Sequence, residues 1–154
     1  MAYTIEAFIG REEALRTLGA RFSGVLIVPV AQGFGVVAFG PALRASMESS
    51  AVVSDPAASW PFRLLASEGA HQAQLASVGH RIANIEAEYF GGTGEQAAIV
   101  WDNGSILSPP TLAKHAINRA LESLGVASDT GKDAFDTLGL GGRRSTNDWL
   151  DSGR

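Results

Sequence analysis

Between Ile82 and Leu107 the chain reads IANIEAEYFGGTGEQAAIVWDNGSIL, three runs of strand character separated by a glycine-rich turn and by Asn103-Gly104. This stretch constrains the fold more than any other. Asn-Gly tolerates the positive φ angles of a two-residue hairpin turn, so the runs on either side pair antiparallel. In the first run Ile85, Ala87 and Tyr89 alternate with Asn84, Glu86 and Glu88, which sends the two sets to opposite faces. One apolar and one polar set predict a core face and a solvent face, with Glu86 and Glu88 in solvent. Gln96–Trp101 is apolar on both faces and reads as a central strand.

The rest of the chain supplies further strands and the helices to pack on them. Tyr3–Ile9 predicts a first strand. Arg11–Phe22 predicts a helix, with Glu12 and Glu13 in the first turn, where the helix dipole favours acid, and Ala14, Leu15, Leu18 and Phe22 on one stripe. Val25–Val30 predicts a strand buried on both faces, with a bulge or an edge near Pro29, which cannot donate to a ladder. Ala31-Gln32-Gly33 reads as a turn into a returning strand, Phe34–Phe39. Pro41–Met47 fits a short helix and Ser49–Ser59 a long loop, after which Trp60 and Phe62 anchor the chain. Ser67 is placed to cap a helix over Glu68–Val78 that Gly79 ends. Ser108-Pro109-Pro110 reads as a helix start, followed by the stripe Ala113, Ala116, Ile117, Ala120, Leu121 and Leu124 and by Gly125 as terminator. Asp133–Leu138 predicts another short helix and Thr146–Leu150 a last turn, capped by Thr146 and docked by Trp149. The order β-α-β-β-(α)-α-β-β-β-α-α predicts a single α+β domain over 1–154, a mainly antiparallel sheet of about five or six strands packed with helices.

Composition bounds the function classes. A chain of 154 residues is long enough to bury a real core without covalent staples. The absence of cysteine excludes a disulfide scaffold, a thiol nucleophile and thiolate metal sites. Sixteen acidic against 12 basic residues, a formal charge of −4, argue against nucleic acid and anionic membrane as partners. Met1–Gly10 lacks the charged start and unbroken apolar run of a signal peptide. The longest apolar run, Gly24–Ala31, is far short of the roughly 20 residues that span a bilayer. A cytoplasmic protein is expected.

Few motifs carry chemistry. Gly92-Thr93-Gly94-Glu95-Gln96-Ala97 has the letters of a dinucleotide-binding G-x-G-x-x-A, but that motif needs a helix to follow, and here a strand is predicted. A turn between strands is the better reading. Glu86 and Glu88 could divide acid and base roles or hold a hard cation, yet strand alternation favours a plain solvent face. The pairs Asp133/Asp136 and Asp148/Asp151 suit helix surface or capping. His71, His80 and His115 have no helical metal-ligand spacing, and no serine has a nucleophile-elbow context, so neither a metal site nor a catalytic residue nor a cofactor is expected. Arg143 and Arg144 suit internal pairing with Asp133, Asp136 or Asp148, or alternatively a partner's anionic group.

The phrases PVAQGF (Pro29–Phe34), IEAEYFGGTGEQAAIVW (Ile85–Trp101), AINRALESLGV (Ala116–Val126) and AFDTLGLGGRRSTNDWL (Ala134–Leu150) span most of the chain. Together they resemble a group of small bacterial proteins of uncharacterised function, some of which accompany polymorphic or contact-dependent toxins. That resemblance implies an immunity-type protein with a toxin-domain partner, and it carries no catalytic residue. The first expectation is therefore a non-catalytic binding protein that contacts its protein partner through Glu86, Glu88, Tyr89, Phe90 and Glu95, carboxylates steering a basic surface and aromatics anchoring it. The alternative is a small-ligand binder or enzyme with a carboxylate-lined pocket over the sheet. A pocket on which Glu86 and Glu88 converge favours the second, a charged sheet face the first.

Overall fold

The Asn103-Gly104 turn closes as its residue types require. In the computed structural model, which describes residues 2–22, 25–48, 73–90 and 93–152, Asn103 has φ 49° and Gly104 φ 81°. The turn joins β5 (Thr93–Asp102) to β6 (Ser105–Leu112), and β4 (Arg81–Phe90) pairs antiparallel with β5 on its other side. Asn103 also accepts a hydrogen bond through Oδ1 from the Gly79 N–H, 2.8 Å, which ties the turn to the chain entering β4. A β-branched residue at Gly104 has room around its side chain but not the right backbone, the nearest neighbour being a Val78 methyl at 3.8 Å. Gly104→Val is expected to cost about 1–3 kcal/mol from backbone strain alone. An unchanged midpoint in urea unfolding would show that the turn does not need the left-handed conformation.

β1 (Ala2–Arg11), α1 (Glu12–Arg21), β2 (Ile27–Pro29), β3 (Phe34–Ala38) and α2 (Pro41–Glu48) precede this hairpin unit, and α3 (Ala116–Leu124), α4 (Ala134–Thr137) and α5 (Thr146–Ser152) follow it. Residues 73–76 are helical as well. The sheet is fully antiparallel in the order β2-β3-β1-β4-β5-β6, so the architecture is α+β as the element order predicts. Both faces are covered. Ile5, Ala7, Ile9, Ile85 and Val100 pack with α3, α4 and Trp149, whereas Phe8, Val37, Ile82, Ile99 and Trp101 pack with α1, Leu43 of α2 and the helical turn 73–76.

Two expectations are corrected here. The Val25–Val30 run yields only the three-residue β2 with Val28 alone buried, not a strand buried on both faces. It does lie on the sheet edge, as expected near Pro29, which has no donor with which to recruit another strand. Ser108-Pro109-Pro110 does not start a helix. Those residues continue β6 along the opposite edge, where prolines cost no ladder bond on the open side, and α3 begins only at Ala116. The apolar stripe of α3 from Ala116 to Leu124 and its end at a left-handed Gly125 are as read from the sequence, while Ala113 lies before the helix. The loop at Ser49–Ser59, the anchors Trp60 and Phe62 and the cap at Ser67 lie outside the described residues.

Candidate functional site

Strand register decides where the five candidate contact residues go. Glu6 stands opposite Glu86 across β1 and β4, and Glu88 opposite Glu95 across β4 and β5. Cross-strand partners share a face, so four carboxylates and Phe90 occupy one end of the α1 side of the sheet. Glu6 was not singled out from the sequence, although its place among the apolar residues of Tyr3–Ile9 was a usable signal. Access separates the group. Glu86 is 0 % exposed, so the solvent face predicted for it is corrected: its strand face carries the second helical layer, and only the end beyond Glu86 reaches water. A carboxylate so placed needs partners inside the protein; Glu86 is engaged there, although its Oε2 accepts no hydrogen bond among the described residues. Asn84, assigned to solvent with it, is buried too and accepts a hydrogen bond from Trp101 Nε1 at 3.0 Å.

Glu88 and Glu95 are exposed, and Phe90 beside them is 78 % exposed. Like charges directly opposite on neighbouring strands repel, by roughly 0.2–1 kcal/mol. Neither carboxylate has a cationic partner among the described residues.

Gly94 explains the glycine-rich letters without a phosphate. Opposite Tyr89 in the β4–β5 ladder, it lies so close that a Cβ there would overlap the Glu88 carbonyl oxygen and the Tyr89 backbone. The segment from Thr93 is a strand, not a helix whose amides could hold a pyrophosphate.

Tyr89 faces the other way, into an open cleft of about 920 Å³ between the sheet, the start of α3 and the α4 region. Tyr3, Phe135 and Leu112 give it apolar walls, and Lys114, His115 and Arg144 stand on it. Gln96 organises its floor. Its Oε1 accepts the Ile117 N–H at 2.8 Å, capping α3, and its Nε2 donates to the Tyr89 hydroxyl at 3.0 Å. Asp133 also borders the cleft, but its Oδ2 accepts from Asn118 Nδ2 at 3.2 Å and its Oδ1 from the Asp136 N–H at 2.8 Å. Burial raises the pKa of the Tyr3 hydroxyl, against a smaller lowering by the nearby Arg144 charge, so it stays protonated and donates to the Leu140 carbonyl at 3.1 Å. The pocket over the sheet is thus not the one on which Glu86 and Glu88 converge; they belong to the opposite face. Its wall residues come from segments more than 100 positions apart, which no local motif could reveal.

Arg143 and Arg144 are engaged internally, their guanidinium groups on aromatic rings and a backbone carbonyl. The Arg143 guanidinium lies 4.4 Å from the Trp149 ring centroid, and Arg144 donates from Nε to the Ala2 carbonyl at 3.1 Å. The Arg144 N–H also donates to Asp148 Oδ2 at 3.1 Å. Among the described residues no group of three or more His, Asp or Glu side chains could hold a metal ion, and no helix is long and apolar enough to cross a membrane. No protein-family model, curated protein or solved structure matches the chain.

Proposed function

We propose that this is a non-catalytic binding protein, of immunity or regulatory type, whose protein partner docks on Phe90, Glu88 and Glu95. The reading rests on one observation, a largely exposed aromatic ring beside two opposed carboxylates that lack counter-charges among the described residues. An exposed Phe has no stabilising role in the free chain, and the carboxylate pair is repulsive there. Both become favourable against a partner that offers an apolar pocket rimmed by Lys or Arg, a surface such as a cationic toxin domain or enzyme presents. Glu86 then supports the patch from beneath and makes no contact, and Tyr89 serves the other face.

Incorporation of a photo-crosslinking phenylalanine analogue at position 90 in the native host tests this, with position 78, another exposed apolar site, as control. A discrete adduct is expected from position 90 only, and it should disappear when Glu88 and Glu95 are both changed to Lys. With the captured partner purified, Phe90→Ala is expected to weaken binding by about 2 kcal/mol or more, some 30-fold. Adducts equal from the two positions, or indifferent to the charge reversal, would sink the reading.

A further inference from the structure

The cleft on the α3 side is separate from the carboxylate patch, and its chemistry is opposite in sign. Its volume of about 920 Å³ is near the upper end of the range for small-molecule sites, roughly 300–1,000 Å³. Tyr3 and Phe135 meet edge to face with ring centroids 5.7 Å apart, and with Tyr89 and the half-exposed Leu112 they form largely aromatic walls. Such walls suit a planar aromatic body better than a flexible chain.

The polar groups then fix the charge of the occupant. Gln96 has no freedom in its amide orientation, because only Oε1 can accept the Ile117 N–H and Nε2 must therefore be the donor to Tyr89. The Tyr89 oxygen is thereby an acceptor within the protein, and its hydroxyl hydrogen, for which no acceptor exists among the described residues, is left as a donor at the cleft wall. Lys114 adds an exposed ammonium, and Arg144, whose Nε is held by the Ala2 carbonyl, brings its positive charge to the rim. The start of α3 adds the positive end of a nine-residue helix with no acid in its first turn. Of the two carboxylates that border the cleft, Asp133 has both oxygens committed to hydrogen bonds within the protein. Glu95 sits next to Gln96 on β5, so alternation sends its side chain to the face of Glu88. What remains on offer is donors and positive charge around apolar walls.

We infer that this cleft binds a small aromatic anion, a flat apolar body carrying one carboxylate- or sulfonate-like head that Lys114 and the Tyr89 hydroxyl receive. The inference does not depend on the protein contact proposed above, since the two sites lie on opposite faces of the sheet.

Anilinonaphthalene sulfonate is a suitable probe, with the uncharged phenylnaphthylamine of the same ring system as its comparison. Titration followed by backbone amide shifts is expected to show one saturable site, with the largest changes at 87–89, 94–96 and 112–118. The uncharged compound should bind at least about tenfold more weakly, and Lys114→Glu and Tyr89→Phe should each cost the sulfonate roughly tenfold, the size of one charge-assisted hydrogen bond. Lys114 is exposed and the Tyr89 change keeps the ring, so both variants should retain the parent's urea midpoint, which is measured alongside. Equal affinity for the charged and uncharged compounds, shifts spread over other surfaces, no saturation, or a sulfonate affinity unmoved by Lys114→Glu each overturns the assignment. A variant that lost its fold would be replaced by Lys114→Gln, which removes the charge alone and must still weaken the sulfonate and spare the uncharged ring.

Discussion

A chain ending at Ser145 is expected to unfold at far lower urea than one ending at Leu150. The difference starts at β1. Its neighbour β3 pairs only as far as the Ala7–Ala38 register, so the first half of β1 has an open edge on that side. The carboxy-terminal segment fills it: the Thr4 N–H donates to the Arg144 carbonyl at 2.9 Å, and the Glu6 N–H to Thr146 Oγ1 at 3.1 Å. Trp149 follows, 1 % exposed in the core between α3 and the sheet, and Leu150 fills the space a side chain at Gly40 would need. A helix as short as α5 has no stability of its own, so it is held by what it buries. Losing the Trp149 side chain from such a site costs about 3–5 kcal/mol, and Trp149→Ala in the full chain should show most of the loss. Equal midpoints for the two truncated chains would mean that the docked segment contributes nothing, whatever its burial.

That segment also shows what a sequence reveals and what it hides. The docking of Trp149 was legible from an aromatic in a short capped turn, but the cap was assigned to the wrong residue. Ser145 Oγ accepts the Asp148 N–H at 3.2 Å, which frees Thr146 to tie the helix to β1. Adjacent Ser and Thr are both favoured caps locally, and the distant Glu6 N–H that engages Thr146 is not visible from the segment itself. The hairpin unit, α1, the stripe of α3 and the α+β order were legible for the same reason: each rests on periodicity or turn chemistry within one segment. β6 was not, because Ser-Pro-Pro suits both a helix start and an edge strand, and the edge position is a property of the whole sheet. The cleft was least legible of all. Tyr3, Gln96, Lys114 and Phe135 belong to four separate elements or connections, and only the register of β1, β4 and β5 brings them together.

Glu86 and Asn84 were misread through a single assumption, that a polar set on one strand face means solvent. The face is in fact a second core in which two polar residues were accommodated, and Asn84 allows the consequence to be measured. It sits diagonally across the β4–β5 ladder from Trp101, whose indole is 1 % exposed and whose Nε1–H donates to Asn84 Oδ1 at 3.0 Å. Trp101→Ala should cost about 3–5 kcal/mol, the usual penalty for emptying a large aromatic site. The polar pair is probed better by smaller changes. Asn84→Leu in the parent removes the only acceptor described for a buried indole N–H, a penalty of about 1–3 kcal/mol. In a Trp101→Phe background that N–H no longer exists, and Asn84 is left with a buried amide and carbonyl, its Nδ2 having no partner among the described residues. Asn84→Leu should then be more favourable than in the parent by about 1–3 kcal/mol. Urea unfolding of the parent, the two single variants and the double variant closes the cycle. Additive effects would mean that the hydrogen bond carries no stability, and that Asn84 owes its place on this face to something other than Trp101.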